Sequence, residues 1–322
     1  MNKLLIINRN FYGTSVIYET DFYEDLKKEF DLFFYGENQI NNIKNNSLEK
    51  VISENNIDYI LCMHNNDTIY YKEFFNLNFE KKFIILGDLH DNWLGKTKKE
   101  IKENINKFNL KGVFIKSVYN TYNFDIDGFY FLPWSLNEKT YSFNNQKVRK
   151  YDICFMGQYQ KNIYPLRYEV FKSLNSKKYS DYQILFSKRT RKAKYDNNFL
   201  NSYASETKKE KVGIEYVEIL KNSKIMIFDS SIYKYPVKKY FECMATGCLI
   251  LADKPNLSKE IGLVEGFNFI NINRTNWEKK LSFYLKNDEE RIRIIENARN
   301  TFLKKHTNKI RIDFLKKIIT SL

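Results

Sequence analysis

The residues with the clearest capacity for chemistry form a short cluster behind an apolar run. After Lys82–Leu86 the chain reads Gly-Asp-Leu-His-Asp-Asn-Trp, which places Asp88, His90 and Asp91 within four positions. A carboxylate or imidazole held beside a hydroxyl group can accept its proton, so this cluster is a candidate general base. A helix-capping aspartate next to a loop histidine is the alternative interpretation. His64, which follows another apolar run, is a second candidate with fewer carboxylates near it.

A second group of chemically capable residues lies on a segment that predicts a short helix followed by a buried strand. Lys238 and Lys239 open the stretch KKYFECMATGCLIL, in which Gly247 is a suitable left-handed stop between the two elements. The amino end of such a helix, together with two lysines, suits a diphosphate. Glu242 stands among apolar neighbours and needs a polar partner, for which paired ribose hydroxyls are a good match. A surface carboxylate on an amphipathic helix is the alternative.

Two glycines and one arginine extend this prediction to neighbouring loops. Gly157 ends the apolar run Tyr151–Met156, and Gly13 lies in the loop after the first apolar run. A glycine at either place would let the backbone approach a ligand closely. Arg167, in the helix that Pro165 begins, is a further cation for the same diphosphate.

A basic loop offers a different kind of contact. Positions 188 to 194 carry five cations in seven residues, among them Lys188, Arg189 and Arg191. Such a loop could contact a nucleic acid or a phosphorylated acceptor, or it could be a solvated turn. The sequence contains neither GxGxxG nor GxxxxGK[ST], which argues against NAD or FAD binding and against ATP hydrolysis of the P-loop type.

The elements that must position these residues alternate between apolar runs and helical periods. Continuous apolar runs separated by helices predict parallel sheets covered by helices, and hence an α/β protein with two Rossmann-like halves. Ligands of such sheets bind beyond the carboxyl ends of the strands, so two halves that face each other would share one cleft. Residues 137–150 have no apolar period and predict a linker between the halves. The last part is helical, with Asp288 as the predicted N-cap of one helix and residues 309–319 as the final helix.

Length and composition fit this division. A chain of 322 residues is long enough for two domains, and its 43% hydrophobic and 29% charged residues are typical of a globular protein. No apolar run approaches the roughly 18 to 20 residues of a membrane-spanning helix, and no signal peptide is evident, so we expect a cytoplasmic location. Four scattered cysteines and three histidines predict buried thiols rather than a metal centre.

The net charge of +14 has two interpretations. It could reflect an anionic partner such as a nucleic acid, a membrane surface or a phosphorylated substrate. Lysine accounts for 43 of the 53 basic residues, an excess that also fits the amino-acid bias of an AT-rich genome. The charge alone therefore leaves both open.

Several of these stretches together resemble a known family. YDICFMGQYQKN, YVEILKNSKIMIF, KKYFECMATGCLILAD and NDEERIRIIENARNTFLKKHT are similar to the C-terminal domain of GT-B glycosyltransferases. The nearest likeness is to the spore-maturation-protein-like group and the group 1 glycosyl transferases. It covers roughly the last 170 residues, and the first half matches by architecture alone. The implied domains are 1–140 on the acceptor side, 151–305 for the nucleotide sugar, and 306–322 as a helix that returns to the first domain.

The resemblance assigns roles to the residues already singled out. It implies a hexosyltransferase that moves a sugar from a nucleoside-diphosphate donor, UDP-sugar first, to an acceptor hydroxyl. Lysines and helix amides can neutralise the leaving diphosphate, so we expect the transfer to need no divalent metal. Glu242 matches the glutamate that contacts the donor ribose, and Gly157 matches the loop that approaches the donor. Lys239 stands where the family usually has arginine, and Lys234 stands where retaining families carry a second glutamate. Asp91 or Asp88 would then take the acceptor proton in an inverting displacement.

His90 would position the acceptor or the donor phosphate in that scheme, and His64, Lys188, Arg189 and Arg191 would contact the acceptor or a polyanion. The acceptor itself could be a glycan, a lipid-linked molecule or a nucleic acid. A nucleic-acid-binding protein on an α/β scaffold, and a glycosyltransferase that acts on modified bases in DNA, are the alternatives. The basic and apolar final helix leaves peripheral contact with the inner face of the membrane open.

Overall fold

The computed structural model describes residues 1–8, 17–36, 47–63, 68–88, 95, 97–117, 126–158, 160–187 and 213–322. The chain divides into two compact units. The first comprises Met1–Ser135 together with Asn308–Leu322, and the second comprises Leu136–Thr307. The final helix therefore belongs to the first unit.

The first unit is built on a parallel sheet in the order β2-β1-β3-β4-β5-β6. Its strands are β1 Lys3–Ile7, β2 Asp31–Tyr35, β3 Tyr59–Met63, β4 Lys82–Asp88, β5 Gly112–Ser117 and β6 Phe129–Phe131. Its helices are α1 Ile17–Leu26, α2 Leu48–Asn55, α3 Thr68–Asn76, α4 Lys98–Lys107 and α10 Asn308–Ser321. The central strands are buried on both faces, which is why they appear in the sequence as continuous apolar runs.

The core of the first unit joins sheet and final helix. Ile312, Leu315 and Ile319 of α10 repeat at helical spacing and pack with Leu4 and Phe83 of the sheet in one cluster of buried side chains. α10 also contacts α1, where the Asn308 amide donates to Asp25 at 3.0 Å. Burial of this apolar stripe holds the last helix on the first unit.

The second unit repeats the plan with a parallel sheet in the order β11-β10-β9-β7-β8. Its strands are β7 Tyr151–Met156, β8 Ile184–Ser187, β9 Ser223–Phe228, β10 Leu249–Ala252 and β11 Ile270–Asn271. Its α-helices are α5 Pro165–Leu174, α6 Gly213–Lys221, α7 Lys238–Thr246, α8 Trp277–Lys286 and α9 Asp288–Lys305, and a 3-10 turn spans Lys177–Tyr179. The predicted α/β class, with parallel sheets and interleaved helices, is confirmed.

Two local predictions are wrong. Residues 137–150 are part of the second unit rather than a linker: Tyr141 is buried, the Asn144 amide donates to Lys221 O at 2.7 Å, and the Arg149 guanidinium donates to Ser223 O at 2.7 Å. The polar side chains of these residues donate hydrogen bonds to backbone carbonyl groups of the second unit. The segment is therefore ordered without a repeat of apolar residues. Asp288 is the first residue of α9 rather than its N-cap, and its carboxylate pairs with Arg291 at 2.6 Å.

Candidate functional site

The site is built around Gly157, the first residue after β7. Its φ of +101° is strained for any residue with a side chain. A Cβ atom at this position would lie 3.1 Å from Lys239 Nζ and 3.6 Å from Arg167 Nη1. Three of the residues predicted to contact a donor therefore meet at the carboxyl edge of the second sheet, where parallel sheets bind their ligands.

Arg167 ties together the loops behind two neighbouring strands. It lies in the first turn of α5, which Pro165 begins, and it is buried. Its guanidinium donates to Gln158 O at 2.7 Å and to Asp229 O at 2.8 Å, and its Cζ atom lies 4.1 Å from the centre of the Tyr164 ring. These contacts fix the loop that starts at Gly157.

Asp229, the first residue after β9, is the partner of Arg167 that sequence reasoning missed. Its carboxylate lies 3.2 Å from Arg167 Nη2 and accepts from the Arg167 backbone N–H at 3.1 Å. Burial raises the pKa of this carboxyl group, and the nearby guanidinium opposes that rise. A carboxylate directly after an apolar strand was the available signal, but its arginine stands 62 positions away in the sequence.

The turn between Asp229 and α7 is held by a second carboxylate. Asp253, just after β10, accepts from the Ser230 N–H at 2.6 Å and from the Ser230 hydroxyl at 2.8 Å. Lys234 Nζ lies 2.5 Å from the same carboxylate. Lys234 stands where retaining families carry a glutamate, and here its ammonium group is held by the Asp253 carboxylate. The turn that contains Lys234 determines where α7 begins.

Helix α7 carries the predicted donor-binding residues on its first two turns. Val237 is its N-cap residue, without a side-chain cap, and the first turn contains Lys238 and Lys239 and no acidic residue. Gly247 ends the helix at φ +80°, and its N–H donates to Cys243 O at 3.0 Å, which confirms the predicted left-handed stop. A Cβ atom at Gly247 would collide with the Asn144 carbonyl.

Glu242 is buried in the second turn of α7, which excludes the surface-carboxylate interpretation. Its Oε1 atom lies 3.0 Å from Lys238 Nζ, and its Oε2 atom accepts from the Tyr216 hydroxyl at 2.7 Å. Burial and the neighbouring carboxylate both raise the pKa of Tyr216. Sequence reasoning missed Tyr216 because it lies on another helix. A carboxylate has about four acceptor positions, so these two donors do not use its full acceptor capacity.

The remaining candidates divide into one residue that the structure describes and several that lie outside the described residues. Asp88 is the last residue of β4, and its backbone pairs with Ser117 of β5, at the carboxyl edge of the first sheet. The other predicted residues lie outside the described part of the chain: Gly13, His64, His90, Asp91, Lys188, Arg189 and Arg191.

Neither a metal cluster nor a membrane span is found within the described ranges. No group of three His, Cys, Asp or Glu side chains there is arranged to hold a metal ion. None of the helices described there is long and apolar enough to cross a bilayer. The four cysteines are buried free thiols, as predicted, and burial raises the pKa of each of them.

Comparisons with known proteins cover both units: a family model matches mainly the second unit, and solved structures match nearly the whole chain. A family model described as glycosyl transferase-like matches residues 182–317, a stretch that contains α7 and Glu242 and spans less than half of the chain. No curated protein matches the sequence.

Solved structures share the fold. The glycosyltransferase from Rickettsia africae ESF-5 is 16% identical with a TM-score of 0.64, and the match covers 99% of this chain and 98% of that one. Anabaena Alr3699/HepE in complex with UDP and glucose is 10% identical with a TM-score of 0.60 over 100% of both chains. TarM from S. aureus is 14% identical with a TM-score of 0.54; the match covers 81% of this chain, which spans only about half, 54%, of TarM. The fold is therefore that of GT-B glycosyltransferases.

Proposed function

We propose that the protein is a glycosyltransferase that moves a sugar from a UDP-sugar to the hydroxyl group of an acceptor. The observation that carries this proposal is the convergence of Gly157, Arg167 and Lys239 at the carboxyl edge of the second sheet, beside the amino end of α7. The glycosyl transferase-like match and the neighbour that binds UDP and glucose support it.

The geometry suggests how the donor is held. Lys239 lies over Gly157, so a diphosphate in this place would meet its ammonium group, the glycine backbone and the first amides of α7. Arg167 is occupied by Gln158 and Asp229, so its role is to hold the loop and to add positive potential. Glu242 would accept from the ribose hydroxyls, alongside or in place of the Tyr216 hydroxyl.

The chemical step follows from these positions. The acceptor oxygen forms a bond to the anomeric carbon, the bond from that carbon to the diphosphate breaks, and UDP leaves. Lysine and helix amides neutralise the charge that develops on the leaving oxygen, so the proposed mechanism needs no divalent cation. The base predicted from the sequence, Asp88, His90 or Asp91, takes the acceptor proton. The hexose type and the inverting outcome are part of the proposal.

Calorimetry with UDP, UDP-glucose, GDP and ADP tests the donor site. We expect UDP to bind, and Lys239→Met to weaken it at least about tenfold, because a charge-assisted contact contributes about 1.5–3 kcal/mol. Lys279→Met is the matched control, since this lysine is exposed on α8. The donor assignment fails if no nucleotide binds, or if the Lys239 variant binds UDP as tightly as the control does.

A further inference from the structure

The first unit contains a pocket that the donor site does not use. It lies at the carboxyl end of the first sheet, where Met63 ends β3, Lys116 precedes the last residue of β5, and Trp134 follows β6. Tyr23 of α1 and Arg311 of α10 complete its wall. An apolar, aromatic recess with a few charged groups is the usual composition of a small-molecule site.

The two charged residues that the structure describes in the wall of this pocket are both positive. Lys116 and Arg311 both line it, and no carboxylate occurs among its described lining residues. Arg311 is only 8% exposed, and desolvation lowers its pKa to about 10, so it keeps its proton at neutral pH. Lys116 Nζ lies 4.4 Å from the centre of the Trp134 ring. Two cations held in an apolar wall attract an anion more strongly than exposed cations do.

The size of the pocket limits what it can hold. The pocket is small and is open to solvent. A small group fits inside, while a sugar ring would have to remain at the mouth, where aromatic side chains are available.

We propose that this pocket binds an oxyanion of the acceptor, a phosphate or a carboxylate, that is carried on a ring. The proposal rests on the glycosyltransferase function, and it narrows the acceptor to an anionic molecule. Lys116 and Arg311 pair with the oxyanion, and Trp134 contacts the ring. Ser117, next to Lys116, pairs with Asp88, so the acceptor would lie beside the strand end that carries the predicted base.

The test uses the full chain and simple probes. Binding of phenyl phosphate, benzoate, inorganic phosphate and the uncharged phenyl glucoside is measured by calorimetry, with and without saturating UDP. We expect phenyl phosphate or benzoate to bind more tightly than inorganic phosphate and phenyl glucoside, and UDP not to displace it. Tighter binding of phenyl phosphate would indicate a phosphorylated acceptor, and tighter binding of benzoate would indicate a carboxylated one.

Substitutions then locate the probe. Lys116→Met and Arg311→Gln should each weaken binding of the preferred probe at least about tenfold and leave UDP binding unchanged. Lys107→Met is the matched control, since Lys107 also lies over an aromatic ring, that of Phe108 at 5.3 Å, but does not line the pocket. If Arg311→Gln does not fold, the binding of the preferred probe to Lys116→Met tests the pocket assignment by itself.

The outcomes separate this inference from the proposed function. UDP binding without binding of either aromatic anion would overturn the pocket assignment alone. An aromatic anion that binds equally well to the Lys116 and Lys107 variants, or that UDP displaces, would overturn it as well. Binding that depends on Lys116 in a protein that ignores UDP would leave the anion pocket in place and remove the donor site.

Discussion

At the scale of single residues, the proposed contact of Glu242 with the donor ribose makes a direct prediction. Its two oxygens meet Lys238 and the Tyr216 hydroxyl. We expect Glu242→Gln to lose the preference for an intact ribose, because a neutral amide accepts a hydroxyl proton less strongly than a carboxylate does. Calorimetry with UDP and its 2′,3′-dideoxy analogue measures this preference, which should be about tenfold in the parent protein and close to onefold in the variant.

Tyr216→Phe provides the control for this experiment. The phenylalanine keeps the ring and removes only the hydroxyl group that donates a hydrogen bond to Glu242. The preference for an intact ribose should therefore persist or increase. If Glu242→Gln discriminates between the two nucleotides as well as the parent does, Glu242 does not contact the ribose.

At the scale of elements, Lys82 shows how one side chain can satisfy the carbonyl groups at the end of a helix. It begins β4, is buried, and donates from Nζ to Leu77 O at 2.7 Å and to Phe74 O at 3.2 Å, at the carboxyl end of α3. Burial lowers its pKa to about 8, so it remains largely charged at pH 7. Lys82→Met leaves these carbonyls without a donor and should lower the free energy of unfolding by about 1–3 kcal/mol.

Urea denaturation at pH 7, followed by hydrogen exchange in α3, measures this loss. Lys81→Met is the matched control, because its ammonium lies 4.9 Å from the Tyr59 ring centre and substitution should change stability by less than about 0.5 kcal/mol. Equal stability of the two variants would show that Lys82 does not hold the end of α3.

The same scale explains what the sequence could predict. β7 has the bounds of the apolar run Tyr151–Met156, and β4 extends the run Lys82–Leu86 by two residues, because strands buried on both faces leave continuous apolar runs. The donor-site candidates followed from residue type and position after a strand. The pairs Arg167–Asp229 and Tyr216–Glu242 could not be predicted, since each joins elements that only the folded sheet brings together.

At the scale of the whole molecule, the buried thiols determine how stability changes in alkali. Burial raises the folded-state pKa of Cys62, Cys154 and Cys248 well above 9.0, and that of Cys243 above it. In the unfolded chain these thiols ionise near pH 8.5, so their stabilisation is complete below that pH and is lost as pH rises further. Lys82, whose folded-state pKa is lowered, has the opposite sign between about pH 8 and 10.5.

Four thiols outweigh one lysine, since each group contributes about 1.4 kcal/mol per pH unit within its window. We therefore expect the urea midpoint to change little from pH 7 to 8 and to fall steeply from pH 9 to 10. Cys62 and Lys82 both lie in the first unit and largely offset each other, so the fall belongs to the second unit, which holds the other three thiols. Cys62→Ala leaves Lys82 without this offset, so the urea midpoint of the first unit should rise between about pH 8 and 10. A midpoint that stays constant to pH 10 would mean that the thiols ionise as readily in the folded protein as in the unfolded chain.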